Sequence, residues 1–382
     1  MAQPTAARPT AARPRDDAGA PFVHDTWYIA ALRSELDGPV LARTVLGVGV
    51  AVFRDPSGRV VALRNRCPHR GYPLSEGTLG DDGVLTCGYH GFRFQPDGTC
   101  VGVPGQDNIP KGSDVQSFPT TENGPFVWIW LGDPAAADPG LIPSEAGFDD
   151  PSFRFVAGHV VIEGHHQLIA DNVLDLSHES FIHATKIGTR DVAETGITSA
   201  SDESRWMVTA SRVMKDAACP PTYQTRTGLR SPIDREQHIS FFVPALYVLD
   251  TLVVEAESVH DPATGPRRPF LGKVVYGLTP MSERRTHYFF AIGRDYAMDD
   301  AAMDDAVREG QHCLIDEDAH AVAVLQQLAD EEGPTPEVST RLDTAALIAR
   351  RMLARRLRAQ SARPAAPAPP VRSRAAVPAP AS

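Results

Sequence analysis

Two short segments near the N-terminus, each with one cysteine and one histidine, constrain this 382-residue chain more than any other feature. The stretch RCPHRGYPLSEGTLGDDGVLTCGYHGFRF, residues 66–94, contains Cys67-Pro-His69 and Cys87-Gly-Tyr-His90. Thiolates and imidazoles are both good ligands for transition metals. The two segments therefore predict one metal site with four protein ligands.

The spacing of these residues separates two kinds of metal site. Two cysteines and two histidines are a common ligand set for structural zinc, but zinc sites usually pair Cys with Cys and His with His along the chain. Here each segment supplies one of each, which favours a [2Fe–2S] cluster with two thiolates on one iron and two imidazoles on the other. Gly71, Gly88 and Gly91 would let the backbone approach such a cluster closely. By itself this site predicts an electron carrier.

A second group of potential ligands lies in DNVLDLSHESFIH, residues 171–183, where we expect a helix over residues 167–183. Its polar members include Asn172, Asp175, His178 and His183. A surface helix also carries polar residues, but two histidines with an acid three positions before the first favour a metal site, in which the carboxylate of Asp175 would accept a hydrogen bond from the His178 ring. Five residues rotate by about 140° on a regular helix, so both histidines can face one ion only if the helix bulges, breaks or ends.

The third ligand of this site should be a carboxylate, because two histidines and one carboxylate form the facial triad of non-haem Fe(II) centres. The segment QHCLIDEDAHAVAVLQQ, residues 311–327, offers Asp316, Glu317 and Asp318. The helical neighbours of Asp318 form an apolar stripe: Leu314, Ile315, Val322 and Leu325. An acid on a buried stripe must be paired or bound to metal. Asp318 is therefore the predicted ligand, and an acid on the helix surface is the alternative.

The hydrophobic pattern predicts an α+β fold with two domains. Short apolar runs separated by DPSG, GDDG and QPDG indicate an all-β domain over residues 23–138. Residues 139–360 then alternate strand and helix patterns, with further helices at about 302–331 and 339–360, and indicate an α+β domain with an antiparallel sheet and covering helices. The Pro- and Ala-rich ends, residues 1–22 and 361–382, are predicted to be disordered.

Composition excludes several classes of function. The formal net charge is −11 and no stretch reads as a basic stripe, which argues against a nucleic-acid partner. No apolar run approaches the roughly 20 residues that span a bilayer, and the first residues lack a signal-peptide pattern. Five scattered cysteines favour reduced thiols over a disulfide framework. We therefore expect a cytoplasmic protein.

At this point the chain resembles a known family. CPHRGYPLSEG with CGYHGFRF and NVLDLSHESFIH is similar to the oxygenase (alpha) component of Rieske non-haem iron oxygenases, nearest the group of vanillate O-demethylase, dicamba monooxygenase and phthalate dioxygenase. The resemblance covers about residues 24–358. It implies a Rieske domain whose cluster ligands are Cys67, His69, Cys87 and His90. Phe92 stands where the family commonly has Trp.

The same resemblance assigns roles in the second site. It implies that His178, His183 and Asp318 bind the iron, that Asp175 bridges the two metal centres, and that Asn172 lies near the iron. The family's oxygenases are trimers or multiples of trimers, in which the cluster of one subunit lies beside the iron of its neighbour. The resemblance thus implies a homotrimer whose electron path crosses a subunit interface.

Electrons must come from outside this chain. O₂ activation at a single Fe(II) needs two of them, and the sequence contains no flavin motif, no nicotinamide motif and no plant-type ferredoxin run. A separate NAD(P)H-dependent reductase is therefore expected. The segment LIARRMLARRLR predicts a helix docked on the rest of the chain. Its Arg355 and Arg356 either receive the reductase or form a solvated face.

Taken together, these features predict a terminal oxygenase that monooxygenates an aromatic or related small organic acid, by O-demethylation or hydroxylation. cis-Dihydroxylation of an aromatic carboxylate is the alternative within the class. An electron-transfer protein without oxygenase activity is the alternative from another class. Trp206, Tyr247 and Phe290 are expected either to line the substrate pocket or to belong to the core.

Overall fold

The computed structural model describes residues 22–333 and 335–362, and the side chain of residue 264 is outside this description. The predicted disorder of the tails therefore falls almost wholly outside the described residues. Eleven strands come first in the described chain: β1 Trp27–Leu32, β2 Leu41–Val45, β3 Val48–Arg54, β4 Val60–Arg64, β5 Thr78–Leu79, β6 Leu85–Thr86, β7 Arg93–Phe94, β8 Cys100–Gly102, β9 Ser117–Phe118, β10 Thr120–Asn123 and β11 Phe126–Trp130.

The remaining elements alternate between strands and helices. The strands are β12 Arg154–Ile162, β13 Thr198–Asp202, β14 Met207–Ala217, β15 Ile233–Phe242, β16 Leu246–Glu255, β17 Phe270–Ser282 and β18 Arg285–Arg294. The helices are α1 His166–Leu174, α2 Arg190–Glu194, α3 Pro221–Thr227, α4 Ala301–Glu332 and α5 Thr344–Ser361. The predicted α+β class is confirmed, and α4 and α5 lie where the two C-terminal helices were expected. The division into domains at residue 138 remains a prediction.

Strands β1–β11 form three small antiparallel sheets, in the orders β1-β11-β10, β2-β3-β4-β9 and β5-β6-β7-β8. The predicted cluster segments are loops of this region: Cys67–Tyr72 follows β4, and Cys87–Phe92 joins β6 to β7. Buried side chains beneath the loops, among them Leu74, Leu85 and Phe94, form one apolar cluster with the two cysteines. The loops are therefore held on a small packed core of their own.

Strands β12–β18 form one seven-stranded antiparallel sheet in the order β12-β18-β17-β16-β15-β14-β13. One face packs against α1, α4 and α5 through a single buried cluster. Ion pairs fix these helices: Asp304 of α4 contacts Arg154 and Arg294 at 2.6 and 2.8 Å, and Asp171 of α1 contacts Arg350 of α5 at 2.6 Å. The long helix that carries the predicted third ligand is thus anchored to the sheet at its N-terminal end.

The other face of this sheet meets the N-terminal strands. Trp27, Trp128 and Trp130 share a buried apolar cluster with residues of β15–β18. The approach is so close that a Cβ at Gly277 would lie 2.3 Å from the side chain of Ile29, so any larger residue there would force that side chain to move. The same contact is supported by a buried hydrogen bond of 2.7 Å from Thr279 Oγ1 to the carbonyl of Ile29.

Helix α5 is docked, as predicted, but its contacts differ from the expected ones. Its buried residues are Ala345, Ala346, Ala349 and Met352, whereas Leu347, Leu353 and Leu357 are only partly buried. The guanidinium groups of Arg355 and Arg356 lie 5.5 and 5.4 Å from the ring centre of Trp206. Both arginines thus contact a residue of their own chain, but the side chain of Arg355 is still 41% exposed, and the reductase-docking role stays a prediction. Trp206 packs against the core, and Tyr247 and Phe290 belong to it.

A pair of buried histidines lies between the N-terminal strands and the large sheet. His159 Nε2 is 2.9 Å from His287 Nδ1, and His287 Nε2 is 3.2 Å from the carbonyl of Thr44. The carbonyl requires a donor, so His287 carries its proton on Nε2 and accepts from His159. Burial, reinforced by the charge of Arg43, lowers the pKa of His159 to about 4 despite the opposing charge of Glu35. Burial, His159 and Arg43 likewise lower the pKa of His287 to about 3.

This pair predicts a pH dependence of stability. Both pKa values in the folded state lie below the value of roughly 6.5 for an unfolded chain, so the unfolded state binds more protons below that pH. The free energy of unfolding should therefore fall as pH decreases from about 6.5 towards 4, by up to about 1.4 kcal/mol per pH unit and histidine. The free energy of unfolding, measured by urea denaturation at pH 7 and at pH 5, should differ less between the two pH values for His287→Gln than for wild type. His320 is exposed, so His320→Gln is the control. If the free energy of unfolding of His287→Gln falls between pH 7 and pH 5 as much as that of wild type, the low pKa assigned to His287 is contradicted.

Candidate metal centres

The two N-terminal loops have the same hydrogen-bond pattern. In each, the cysteine N–H donates to the carbonyl five residues later, at 2.8 Å in both loops. The N–H of Gly71 or Gly91 donates back to the carbonyl of Cys67 or Cys87, at 2.8 and 3.0 Å. Both glycines have positive φ, 74° and 71°, a conformation that side-chain-bearing residues rarely adopt. The repeated turn presents the cysteine and the histidine of each loop in equivalent positions.

The donor groups of the loops fit a two-iron cluster. Cys67 and Cys87 are both 2% exposed, whereas His69 and His90 are exposed and have ring centroids 4.6 Å apart. Burial, with a smaller effect of the neighbouring Cys87, raises the pKa of Cys67 to about 11, although main-chain N–H groups of His69 and Arg70 oppose the rise. Two thiols beneath and two imidazoles above match the Cys₂His₂ distribution of a Rieske cluster.

The segment with the second set of predicted ligands is not one continuous helix. Helix α1 ends at Leu174, and Asp175 has φ −87° and ψ 88°, outside the helical region. A short 3₁₀ turn, His178–Ser180, follows, and His183 lies beyond it. The predicted helix over 167–183 is therefore wrong after residue 174, but the break needed to turn both histidines to one point is present.

His178, His183 and Asp318 are brought together from distant parts of the chain. Asp318 Oδ1 lies 3.5 Å from His178 Nε2 and 3.2 Å from His183 Nε2. Among the described residues this is the one group of three or more histidine, cysteine or acidic side chains placed to bind a single ion, with ligand atoms within 4.8 Å of one another. Asp318 Oδ1 is buried and is not in hydrogen-bonding geometry with any group of the described residues, which fits a position made for a cation.

The remaining nitrogen of each ring is already engaged. His178 Nδ1 contacts the main-chain oxygen of Asp175, and His183 Nδ1 lies 2.7 Å from Glu317 Oε2. Both acceptors require the proton on Nδ1, which leaves the lone pair of each Nε2 facing Asp318. The two imidazoles are thus held in the tautomer that binds metal through Nε2.

Charges around the triad are balanced by nearby groups. Burial alone would lower the pKa of His183, but contacts with Asp318 and Glu317 outweigh it and raise that pKa. Burial would raise the pKa of Glu317, but Lys186, whose Nζ is 2.7 Å from Oε1, and His183 lower it. Glu317 is thus compensated by Lys186, whereas the Asp318 carboxylate at the centre of the triad is left for a divalent cation to neutralise.

Asp175 and Asn172 are the other two residues of this segment to which the sequence assigns a role. Asp175 Oδ1 accepts from the N–H and hydroxyl of Ser177 at 2.8 and 2.5 Å, so the predicted bond from its carboxylate to His178 is wrong. The reason is the helix end at Leu174, which removes the i−3 relation on which that prediction depended. Asn172 Nδ2 is buried and makes no hydrogen bond. It is a donor free to meet an acceptor brought by a ligand.

Sequence reasoning missed the support of the His178 turn. Glu179, Arg212 and Arg235 are 4%, 2% and 2% exposed, and Glu179 Oε2 lies 3.0 and 2.9 Å from the two guanidinium groups. Gln237 Nε2 donates to the other oxygen of Glu179 at 2.9 Å. The signal was present in β15, where Arg235 and Gln237 occupy the same face as the buried Ile239. Buried charges of this kind are costly unless paired, so they fix the turn firmly.

Comparison with known proteins identifies the family. Residues 26–119 match the Rieske [2Fe-2S] domain, and residues 162–359 match the vanillate O-demethylase oxygenase C-terminal domain. The chain belongs to the Rieske non-haem iron oxygenases. The match to the Rieske domain shows a [2Fe–2S] cluster and not structural zinc. The match to the oxygenase C-terminal domain shows an oxygenase and not an electron carrier without oxygenase activity. This Rieske oxygenase is therefore an oxidoreductase with a cluster and a mononuclear iron.

Individual relatives support the same conclusion. The oxygenase component of dicamba O-demethylase from Stenotrophomonas maltophilia is 34% identical over 318 residues, covering 80% of this chain and 88% of that protein. The iron-sulfur subunit of a toluene-4-sulfonate monooxygenase system from Comamonas testosteroni is 32% identical, covering 89% and 98%. A crystal structure of dicamba monooxygenase bound to 3,6-dichlorosalicylic acid superposes with a TM-score of 0.81 at 31% identity, covering 90% and 99%. A further dicamba monooxygenase structure, with non-haem iron and dicamba, has a TM-score of 0.73.

None of the helices in the described part of the chain is long and apolar enough to cross a bilayer.

The positions of the three competing acids generate a prediction. Asp318 faces both Nε2 atoms, whereas Asp316 is exposed. Asp318→Asn should lose most of the mononuclear iron while keeping the visible spectrum of the cluster, because an amide is a weaker ligand and adds no negative charge. Asp316→Asn should keep both metals. Iron content per chain, measured beside the cluster absorbance, checks both, and the reverse pattern would show that the wrong acid was chosen.

Proposed function

We propose that this chain is the terminal oxygenase of a multicomponent system that inserts one oxygen atom into an aromatic or related small organic acid, by O-demethylation or hydroxylation. The observation that carries the proposal is the convergence of His178 Nε2, His183 Nε2 and the unbonded Asp318 Oδ1. These three would bind the iron, and Cys67, His69, Cys87 and His90 would bind the cluster. When bound, the iron supplies open positions for O₂ activation and the cluster supplies electrons one at a time.

The protein's own residues prepare this site. The main-chain oxygen of Asp175 and the carboxylate of Glu317 hold the protons of the two imidazoles on Nδ1. Asn172 Nδ2, which is buried and has no hydrogen-bond partner among the described residues, would donate to an oxygen of a bound ligand. The side chains of His178, His183 and Asp318 are only 15%, 3% and 13% exposed, so little of the triad is open to bulk water. In this arrangement the protein orients the ligands and excludes solvent, as expected where the metal performs the oxidation.

The class of substrate rests on the relatives. Two of their names, vanillate O-demethylase and toluene-4-sulfonate monooxygenase, contain the anion of an aromatic acid. This supports an aromatic acid as the substrate of the present chain. cis-Dihydroxylation of an aromatic carboxylate remains the alternative outcome.

The proposal includes partners. A separate NAD(P)H-dependent reductase would supply electrons, which is consistent with relatives named as components or subunits of larger systems. A homotrimer would place the cluster of one subunit beside the iron of another. It is supported by the exposed His69 and His90 and by the exposed aromatic rings beside each site, Tyr89 at 59% and Phe181 at 77%. The five free cysteines fit the reducing interior of a cell.

The function is tested by metal content and product. Purified protein should contain three irons per chain, two in the cluster and one in the mononuclear site. With a surrogate reductase, a panel of aromatic acids and aryl methyl ethers should include a substrate that couples O₂ uptake to formaldehyde release or to a hydroxylated product. A diol product would favour the alternative reaction. Two irons per chain with no O₂ uptake on any acid would refute the oxygenase proposal.

A second test concerns the electron path. The bonds from Ser177 both end on Asp175 Oδ1, and the second carboxylate oxygen accepts no hydrogen bond from the described residues. In the proposed trimer that oxygen would accept from a cluster histidine of the neighbouring subunit, His90 by motif position. Asp175→Asn loses the charge and one acceptor and should reduce product formation by roughly a hundredfold or more, with metals and assembly intact.

Single-turnover kinetics measure this effect directly. Pre-reduced variant is mixed with substrate and O₂, and reoxidation of the cluster is followed by absorbance. Ser177→Ala is the matched control, because it removes the hydroxyl bond to the same carboxylate without changing its charge. Reoxidation of Asp175→Asn at the wild-type rate would remove Asp175 from the electron path.

A further inference from the structure

Glu317 and Lys186 form a connected pair on the outer side of one predicted iron ligand. Glu317 Oε2 lies 2.7 Å from His183 Nδ1, and Glu317 Oε1 lies 2.7 Å from Lys186 Nζ. Lys186 Nζ also donates to the carbonyl of Cys313 at 3.2 Å. Each oxygen of the carboxylate thus has its own donor. Because Cys313 and Glu317 both lie on α4, the lysine ties the segment that follows His183 to that helix.

The main chain of Lys186 holds the same histidine from the other side. The N–H groups of Lys186, Ile187 and Gly188 all lie within hydrogen-bonding distance of the carbonyl of His183, at 2.9, 3.2 and 3.0 Å. The turn is tight, because a Cβ at Gly188 would lie 2.2 Å from the carbonyl oxygen of Glu179. The backbone of His183 is therefore fixed by the turn, and the remaining freedom is rotation of its ring. That rotation is what Glu317 opposes.

We propose that Glu317 and Lys186 are a positioning pair that sets the tautomer and ring orientation of His183, so that Nε2 is directed at the iron. This rests on the proposed function, since it takes the iron site as given. Asp318 and Glu317 are consecutive residues of α4 and point about 100° apart around the helix axis. Asp318 contacts Nε2 of the His183 ring and Glu317 contacts Nδ1. One turn of α4 therefore supplies both the predicted ligand and the group that orients its neighbour.

The two histidines differ in how they are supported. His178 Nδ1 contacts a main-chain oxygen, which no substitution removes. His183 Nδ1 contacts a side chain, and that side chain is partly exposed at 31%, with Lys186 at 30%. Lys186 Nζ, 2.7 Å from Glu317 Oε1, holds the carboxylate on the side away from His183. The orientation of His183 is thus the part of the site that depends on replaceable side chains.

Glutamine at position 317 tests the pair because it has one acceptor oxygen where glutamate has two. It can accept from His183 or from Lys186 but not from both, and its NH₂ group faces the other donor. Lys186→Met leaves the carboxylate in place but removes its counter-charge and its tie to Cys313. Lys186→Arg keeps the charge and a donor. Asp316→Asn, an exposed acid one residue before Glu317, is the matched control.

The measurement is Co(II) binding to protein depleted of mononuclear iron, with the cluster intact. Loss of an outer-shell partner typically weakens metal binding by roughly 10–100-fold, and we expect Glu317→Gln to raise the dissociation constant for Co(II) by that factor. The visible ligand-field spectrum of the bound Co(II) should change as well, because the ring of His183 is no longer held in one orientation. Lys186→Met should lose less affinity for Co(II) than Glu317→Gln. Lys186→Arg and Asp316→Asn should bind Co(II) with the wild-type affinity.

Coupling between the two residues gives an independent readout. In the double variant Lys186→Met with Glu317→Gln, the affinity should equal that of Glu317→Gln alone, because the lysine acts only through the carboxylate. Cluster absorbance and the melting temperature of metal-depleted protein should be unchanged throughout. If Glu317→Gln alone proves unstable, the Lys186→Met and Lys186→Arg comparison tests the same pair.

The outcomes separate this inference from the proposed function. Co(II) binding by wild type with unaltered affinity and spectrum in Glu317→Gln would overturn the positioning pair and leave the oxygenase proposal standing. Additive losses in the double variant would overturn the proposed action of Lys186 through Glu317. Failure of wild type to bind Co(II) at all would overturn the iron site itself, and the inference with it.

Discussion

The second metal site depends on one buried carboxylate oxygen that has two imidazole nitrogens as its neighbours and no hydrogen bond of its own. A carboxylate in such a position is costly unless a charge compensates it, so the surrounding structure has to hold it there. Asp318 lies on α4, and the two histidines lie in an irregular segment more than a hundred residues earlier in the chain. Everything that fixes α4 against that segment therefore contributes to the site.

Packing and ion pairs provide this fixation. Ile169 and Val173 of α1 share one buried cluster with Ile315 and Val322 of α4. The approach is close, since a Cβ at Gly164, just before α1, would lie 2.3 Å from the side chain of Val322. The buried Glu179 between its two arginines then anchors the turn that follows α1 to the sheet. A rigid helix and a rigid turn meet at the triad, which is the arrangement that precise metal coordination requires.

The cluster loops are organised differently. Their ligands come from two short turns, one after β4 and one between β6 and β7, and each turn is closed by its own hydrogen bonds and by a glycine with positive φ. The thiols are buried and the imidazoles are at the surface. A site built in this way needs little from the rest of the chain. Its exposed histidine edge is, under the proposed assembly, the point at which a second subunit completes the electron path.

What the sequence could predict follows from this difference. The cluster ligands could be predicted because their spacing is local, and the α+β class and the two long C-terminal helices were confirmed because hydrophobic periodicity is local too. Asp318 was chosen over its neighbours by a stripe that is largely real, since Leu314, Ile315 and Val322 are buried. Leu325 does not belong to the buried stripe, since it is 51% exposed and lies beyond Val322, the last buried residue of α4.

The errors lie where tertiary contacts override a helical pattern. The bond from the Asp175 carboxylate to His178 was inferred from helical spacing, but the helix stops one residue earlier and the main-chain oxygen takes that place. Glu317 was treated only as a competitor of Asp318, since nothing in the sequence shows that His183 and Lys186 lie beside it. The sequence alone therefore determined the kinds of ligand, their local spacing and the class of chemistry. The tertiary structure decided which nitrogen of each imidazole faces the metal and which acid supports which histidine, because those choices depend on acceptors contributed by residues far apart in the chain.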